Sequence, residues 1–186
     1  MLQNDRLWAD DQPVESTSLE PTVLDDPWAL EALLQVRIEQ THVCVRLGHG
    51  RYAVPLNAVE HVLQVPPLTR LPAGPIWLAG VANWRGRVLP VVDVRPLLGV
   101  ERAVLPGSGR ILVLAEGEVR AGVLVESVLG LIDDPGSTVE AVPATVTPAA
   151  ASILEGIVNV EGPVGLLDVA SVLGLRGQLR QTRPAW

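Results

Sequence analysis

Residues 80–94 read GVANWRGRVLPVVDV, and residues 156–169 read GIVNVEGPVGLLDV. Both segments contain an apolar strand, a polar turn, a second apolar strand and then an aspartate. Each continues through a short amphipathic stretch to a Leu-Gly pair, at 98–99 and 173–174. The second copy lacks one residue. This internal repetition predicts a small β unit that the chain uses twice.

The two copies differ at the turn. The first carries Trp84 and Arg85 where the second has Val160 and Glu161. Tryptophan and arginine are enriched where proteins bind partners, so we predict a binding role for the first turn and a structural role for the second. The alternative is that Trp84 lies under its own sheet while Arg85 points into solvent.

Composition limits the class of protein. The chain has 186 residues, of which 48% are hydrophobic, enough for one ordinary domain or two small ones. No apolar run approaches the ~20 residues that cross a bilayer, and the N-terminus does not have the pattern of a secretory signal, so we expect a cytoplasmic protein. The single cysteine, Cys44, excludes an internal disulfide and is expected to be an unreactive strand residue.

The net charge of −7 is concentrated near the N-terminus. Residues 1–40 contain nine acidic residues and two arginines, whereas residues 41–186 contain twelve of each sign. Without a clustered basic surface, binding to nucleic acid or to anionic lipid is not expected. All fourteen basic residues are arginine, so no lysine is available for Schiff-base chemistry.

The first 40 residues differ in character from the rest. Residues 1–26 are rich in Asp, Glu, Ser, Thr and Pro and are expected to form a flexible tail. Residues 27–40 have apolar side chains at near-helical spacing after Asp26 and Pro27, which predicts a short helix. We expect its apolar face to pack on the body of the protein, with docking to another protein as the alternative. Residues 176–186 are expected to be a C-terminal tail.

The body reads as short strands. Residues 41–47 and 51–56 predict one hairpin, and residues 110–115 and 119–125 predict another. Further strands are predicted near 60–65 and 127–132. The expected fold is therefore mainly β, with each repeat forming its own small barrel of about five strands and the chain passing from the first barrel to the second near residues 100–110.

Chemistry-bearing residues are sparse. Asp93 and Asp168 stand where an N-cap belongs, and we favour this structural role over acid–base catalysis. Asp93 and Arg95 are expected to form a local surface ion pair. His42, His49 and His61 lack a Cys or carboxylate at metal-ligand spacing, and the common nucleophile, phosphate-binding and calcium-loop motifs are absent. We therefore expect no enzyme activity, no cofactor and no metal.

A longer run matches a known family. Residues 83–95, NWRGRVLPVVDVR, resemble the N-x-R-G-x-x-x-P-x-x-D-x-R signature of CheW-like chemotaxis coupling proteins. Residues 52–54 and 59–62 are similar to that family's second and third strands, and residues 122–128 resemble a passage between strands in its second half. The resemblance spans residues 41–175.

The resemblance implies two tandem SH3-like five-stranded barrels separated by a hydrophobic groove, without an active site. It implies an adaptor that couples methyl-accepting chemoreceptors to a CheA-type histidine kinase, in chemotaxis or pilus motility. The receptor's helical hairpin would lie in the groove, and the kinase's own CheW-like domain would bind through barrel edges, with other CheW-like domains as further partners. The alternatives are a CheW-like barrel that serves another signalling complex as a ligand-binding or regulatory subunit, and a detached regulatory domain of a histidine kinase.

Transferred to matching positions, the resemblance also implies site residues. The receptor-binding set is Val59, Gly80, Asn83, Trp84, Arg85, Gly86, Val123 and Val125. The kinase contact is placed on Val54 and Leu56. Where the family often has a Glu facing the signature arginine, this chain has His61, with Glu60 one position earlier. The resemblance therefore leaves the partner of Arg85 open, and the acidic leader could tether the module, occupy its groove or have no role.

Overall fold

Hairpins make up most of the chain in the computed structural model, which describes residues 27–39, 41–101, 109–133 and 139–178. The strands are β1 (Thr41–Leu47), β2 (Gly50–Pro55), β3 (Val59–Gln64), β4 (Leu78–Trp84), β5 (Arg87–Val92), β6 (Arg110–Glu116), β7 (Val119–Val125), β8 (Ser127–Asp133), β9 (Leu154–Asn159) and β10 (Pro163–Leu167). The helices are α1 (Pro27–Glu39), α2 (Pro148–Ala151) and α3 (Val169–Gln178). The predicted hairpins and the mainly β character are confirmed.

The N-terminal region forms a separate unit, as judged by which residues contact one another. The chain divides into one unit at residues 1–34 and another at residues 35–186. The predicted helix at 27–40 is present as α1, while the predicted tail at 1–26 and residues 179–186 lie outside the described residues. Within the second unit, Val36 and Ile38 of α1 are 50% and 38% exposed, so these side chains are not buried as an apolar face packed on the body would be.

Ten strands form two five-stranded sheets among the described residues, in the orders β8-β1-β2-β10-β9 and β3-β6-β7-β5-β4. We call them sheet A and sheet B. The expectation that each sheet is one contiguous repeat is wrong. Each sheet takes a hairpin from one repeat and three strands from the other, joined by the parallel pairs β2–β10 and β5–β7. The chain therefore crosses between sheets after β2 and again after β7.

The exchanged hairpins β1–β2 and β6–β7 are buried on both faces. In β6, Leu112 and Leu114 belong to a large core cluster shared by the two sheets, whereas Ile111 and Val113 belong to a cluster inside sheet B. In β1, Val45 belongs to the shared core. Strands covered on both faces need apolar residues at nearly every position, which explains the continuous apolar runs at 111–115 in β6 and 121–125 in β7. The shared core unites the two sheets across their facing surfaces.

Candidate functional site: an apolar groove with an arginine at its rim

A groove runs between β3, an outer strand of sheet B, and β8, an outer strand of sheet A. Its volume is about 440 Å³. It is lined by Val43, Leu56, Val59, Glu60, His61, Val62, Val128, Gly130 and Leu131. Large apolar side chains on an outer strand are unusual unless something covers them, so the groove has the character of a docking surface.

The two walls of the groove are related by the internal repeat. Val62 on β3 and Leu131 on β8 occupy equivalent positions and are 48% and 62% exposed. Each strand also has a bulge, because Glu60 and Leu129 have no register partner on the neighbouring strand. A bulge bends a strand and interrupts its simple alternation of faces. As a result, the residues that border the groove do not alternate along the strands and include four consecutive residues of β3.

A cluster of three side chains lies at one rim. Arg85 Nη2 is 2.7 Å from Nε2 of His61, which also lines the groove. The guanidinium carbon of Arg85 is 4.9 Å from the ring centroid of Trp84, and the His61 and Trp84 centroids are 5.6 Å apart. Both contacts on Trp84 are within the range of favourable ring interactions. Because β3 and β4 are opposite outer strands of sheet B, the cluster also closes that sheet on itself.

The chemistry of arginine fixes the roles in this hydrogen bond. A guanidinium only donates, so Nε2 of His61 must be the acceptor and the imidazole proton must lie on Nδ1. His61 is therefore neutral when this contact is made. The cluster carries a single positive charge, that of Arg85.

The turn that holds Arg85 is tightly constrained. Arg85 and Gly86 have φ values of 51° and 75°, as in a type I′ hairpin turn, and Oδ1 of Asn83 accepts a hydrogen bond from the Gly86 amide at 3.1 Å. Glu161 in the second hairpin has the same φ of 51°, and Asn159 accepts from Gly162 in the same way. The first loop has two residues and the second has three, but both keep the positive φ and the asparagine hydrogen bond. These shared features belong to the fold, and the side chains at the turn distinguish the two hairpins.

The acidic residue that lines the groove, Glu60, is engaged elsewhere. Glu60 accepts a hydrogen bond from Arg120 Nε at 2.6 Å. Among the residues that the structure describes, no carboxylate lies within ion-pair distance of Arg85, which is exposed. The Glu–Arg pair that the resemblance left open is thus replaced by the His61–Arg85 contact.

Three of the residues expected to contact a receptor are buried. Val123 and Val125 are 0% and 1% exposed and lie in the shared core. Gly80 is buried, and a side chain there would meet the carbonyl oxygen of Thr69 at 2.7 Å. Placing these three residues in direct receptor contact is therefore wrong for this structure. Val123 and Val125 form part of the core, and the absence of a side chain at Gly80 lets the loop that contains Thr69 approach β4.

The other expected site residues are distributed unevenly. Val59 lines the groove, and Trp84 and Arg85 lie at its rim. Asn83 and Gly86 are exposed and shape the turn. Of the expected kinase contacts, Val54 is 1% exposed in the core, and assigning it to a partner is wrong for the same reason. Leu56 lines the same groove as Val59, so it does not define a separate surface.

Sequence reasoning missed half of the groove. Val62, Val128 and Leu131 line it but were not selected. In the sequence, residues 127–133 form a largely apolar run that is typical of a buried strand. Only the strand order shows that β8 is an outer strand with its side chains exposed. The apolar residues of β8 were therefore visible in the sequence. Whether they were buried or exposed depended on which strands pair with β8, and the sequence did not show this.

A buried ionic cluster lies just after β5, at the end of that strand away from the Arg85 turn. Arg95 donates from Nε and Nη2 to the two carboxylate oxygens of Asp93, both at 2.9 Å, and from Nη1 to Glu126 at 3.2 Å. Asp93 and Arg95 are 1% and 3% exposed, so the expected surface ion pair is in fact buried. Hydrogen bonding to Asp93 raises the pKa of Arg95. Glu126 lies between β7 and β8, so the cluster fixes the chain where it crosses between sheets.

Both repeated aspartates have the geometry of caps. Oδ1 of Asp93 accepts from the Arg95 amide at 3.1 Å, although residues 94–98 form turns rather than a regular helix. Asp168 precedes α3, where its Oδ1 accepts from the Ser171 amide at 3.3 Å and its Oδ2 accepts from the Ser171 hydroxyl at 2.6 Å. Carboxylates at these positions satisfy amides that have no partner within the helical turn.

Cys44 is expected to resist thiol reagents. Its side chain is 3% exposed, and burial raises the pKa of the thiol, so both access and the reactive thiolate are limited. Incubation of the native protein with a chromogenic disulfide reagent should leave Cys44 unmodified over a period in which the protein unfolded in denaturant reacts completely. Rapid modification of the native protein would contradict the placement of β1 in the core.

Comparisons with known proteins converge on one family. The family described as CheW-like domain matches residues 41–176. Protein PilI of Pseudomonas aeruginosa is 34% identical over 63% of this chain, and the match covers 66% of PilI, just under two thirds of its length. Protein FrzA of Myxococcus xanthus is 36% identical over 75% of this chain and 88% of its own length.

A chemotaxis protein and a solved structure agree with these matches. Chemotaxis protein CheW of Bacillus subtilis is 28% identical over 75% of this chain and 90% of its own length. The crystal structure of scaffolding protein TtCheW from Thermoanaerobacter tengcongensis superimposes with a TM-score of 0.64 at 23% identity, covering 70% of this chain and 84% of that one. At this identity the superposition shows the shared fold alone. No helix in the described ranges is both long and apolar enough to cross a membrane.

Proposed function

This chain belongs to the CheW-like domain family, and on that basis we propose that it is a non-enzymatic adaptor of a bacterial chemosensory array. In this proposal it couples the cytoplasmic tips of methyl-accepting receptors to a CheA-type histidine kinase. It would act in the cytoplasm, at membrane-associated arrays that it reaches through its partners. The observation that carries the proposal is the apolar groove between β3 and β8 with Arg85 at its rim.

The dimensions of the groove suit a helix. The part of each strand that lines the groove spans four residues, 59–62 on β3 and 128–131 on β8, so each wall is roughly 13 Å long, the length of between two and three helical turns. A helix that lays its apolar face in such a groove would cover Val62, Val128 and Leu131. The receptor tip implied by the family resemblance is a helical hairpin, and we assign it to this groove.

The names of the relatives support the general role. Chemotaxis protein CheW and scaffolding protein TtCheW are named for chemotaxis and for scaffolding. A scaffold needs a second binding surface in addition to the groove. We assign the kinase to barrel edges outside the groove, other than the parts of β4 and β9 that already pair with Thr69 and Glu140. This assignment replaces the contact at Val54, which is buried.

Arg85→Asn tests the receptor assignment without disturbing the turn. Asn-Gly is the preferred pair for a type I′ turn, so stability should stay within about 1 kcal/mol of the wild type. Affinity for a receptor cytoplasmic fragment should fall about tenfold, since a charged hydrogen bond contributes about 1.5 kcal/mol. Affinity for the kinase regulatory domain should not change. Both affinities can be measured by calorimetry with purified proteins.

Glu161→Asn is the matched control, because it makes the same replacement at the same φ in the other hairpin. It should leave binding of the receptor fragment unchanged. Equal losses in both variants would mean that the effect comes from the turn rather than from the guanidinium. If the wild type bound neither partner, the coupling role would be wrong, and a CheW-like barrel in another signalling complex would become the better assignment.

A further inference from the structure

Arg85 has an unusual electrostatic setting for an exposed arginine beside an apolar groove. Its described hydrogen-bond partner is a neutral imidazole nitrogen, His61 Nε2 at 2.7 Å, and its other described contact is the face of Trp84. A guanidinium has five N–H donors, and this hydrogen bond uses one. The groove acid nearest to it in sequence, Glu60, is bonded to Arg120 at 2.6 Å. The positive charge of Arg85 is therefore not neutralised by any carboxylate in the described part of the chain.

The equivalent positions of the second repeat lack this arrangement. Gly130 occupies the position on β8 that corresponds to His61, and Val160 and Glu161 correspond to Trp84 and Arg85. The turn equivalent to that of Arg85 therefore carries a negative charge, on Glu161, where the first turn carries a positive one. A partner that lies along both walls would meet an unneutralised cation at the Arg85 rim and mainly apolar surface between the walls.

We infer that the segment bound in the groove presents a carboxylate to Arg85, and that His61 is the residue that determines this preference. The inference rests on the proposed receptor-binding role of the groove. His61 accepts a hydrogen bond and positions the guanidinium on Trp84 but supplies no negative charge. Because no carboxylate in the described ranges pairs with Arg85, we assign the counter-charge to the partner. The expected ligand is an amphipathic helix with an Asp or Glu beside its apolar face. A glutamate at position 61 would instead form the ion pair within the protein.

The test uses the full chain and a receptor cytoplasmic helical-hairpin fragment as the probe. His61→Glu should weaken binding of the fragment about tenfold or more, because the new carboxylate neutralises Arg85 and repels an acidic ligand. His61→Gln keeps a neutral acceptor, so its loss of affinity should be several-fold smaller. Gln64→Glu adds the same charge to β3 about 10 Å along the strand and should leave affinity unchanged. Circular dichroism of each variant checks that it is folded.

Changes in the probe identify the carboxylate. Each Asp and Glu near the tip of the fragment is replaced in turn by Asn or Gln. One replacement should weaken binding to the wild type about tenfold and have little effect on binding to Arg85→Asn or His61→Glu, a coupling that a double-mutant cycle measures. Wild-type binding should also weaken more steeply with added salt than binding to His61→Glu.

Two outcomes would overturn the inference. His61→Glu could bind the fragment as tightly as the wild type, or no single acidic residue of the fragment could couple to Arg85. If Leu131→Asp abolished binding in either case, the groove would still be the receptor site and only the charge preference would be wrong. If the fragment did not bind the wild type, or bound Leu131→Asp equally well, the proposed function would fail and the inference would fail with it.

Discussion

Replacing Asp93 by asparagine is expected to lower the free energy of unfolding by about 3 kcal/mol, which corresponds to a fall in Tm of about 6–12 °C for a chain of this size. The substitution keeps the shape of the side chain but leaves the guanidinium of Arg95, which is 3% exposed, without its bidentate carboxylate. This loss of unfolding free energy is at the lower end of the range expected for breaking a buried ion pair, because Glu126 still contacts Arg95. Urea unfolding followed by circular dichroism measures the change.

The second repeat provides a matched control. Asp168→Asn makes the same replacement at the equivalent cap, where asparagine is about as good a capping residue, and should cost under about 1 kcal/mol. The double replacement Asp93→Asn with Arg95→Met should recover part of the loss, because it removes the buried positive charge that Asp93 neutralised. Equal destabilisation by Asp93→Asn and Asp168→Asn would show that capping, rather than the buried ion pair, accounts for the role of Asp93.

Introducing a charge into the groove should have the largest effect on binding. Leu131→Asp is expected to weaken binding of the receptor fragment by more than about 30-fold, the loss typical of a central interface residue, because the carboxylate would have to be desolvated against an apolar helix. Leu131 is 62% exposed, so the stability of the free protein should change by no more than about 0.5 kcal/mol. Calorimetric titration and thermal unfolding of the same preparation separate the two quantities.

Ile76→Asp is the control for this substitution. Ile76 is 68% exposed and does not line the groove, so the same change in polarity there should leave the affinity for the receptor fragment unaltered. Comparable losses in both variants would indicate a general effect of surface charge. Loss of kinase-domain binding in Leu131→Asp, with receptor binding retained, would instead assign the groove to the kinase.

Local structure was predictable here because it depends on short patterns. The alternation in residues 41–47, the glycine loop that follows and the polar turn in residues 83–86 each determine a hairpin without reference to the rest of the chain. The division into sheets was not predictable. Exchanging β1–β2 with β6–β7 leaves the apolar pattern of both repeats unchanged, so the sequence is equally compatible with either arrangement. The parallel pairs β2–β10 and β5–β7 decide between them.

The site was predictable where it depended on a contrast between repeats. Trp84 and Arg85 were identified because the second turn has Val160 and Glu161 in their place. Val123 and Val125 were misplaced because β7 lies in the middle of sheet B, next to β6 and β5, with the shared core against it. The partner of Arg85 also needed the structure, since the bulge at Glu60 alters which residue of β3 approaches the turn.

The exchange of hairpins between sheets bears on how such a chain could arise. One repeat holds a hairpin and three strands that together match the five positions of a sheet, but it contributes them to two different sheets. Two identical copies of a single repeat could complete one another as a symmetric dimer, and gene duplication with fusion would then join them. In such a dimer both walls of the groove would have to be the same. The fused chain is free of that constraint, and it alone can carry His61 and Arg85 on one side opposite Gly130 and Glu161 on the other.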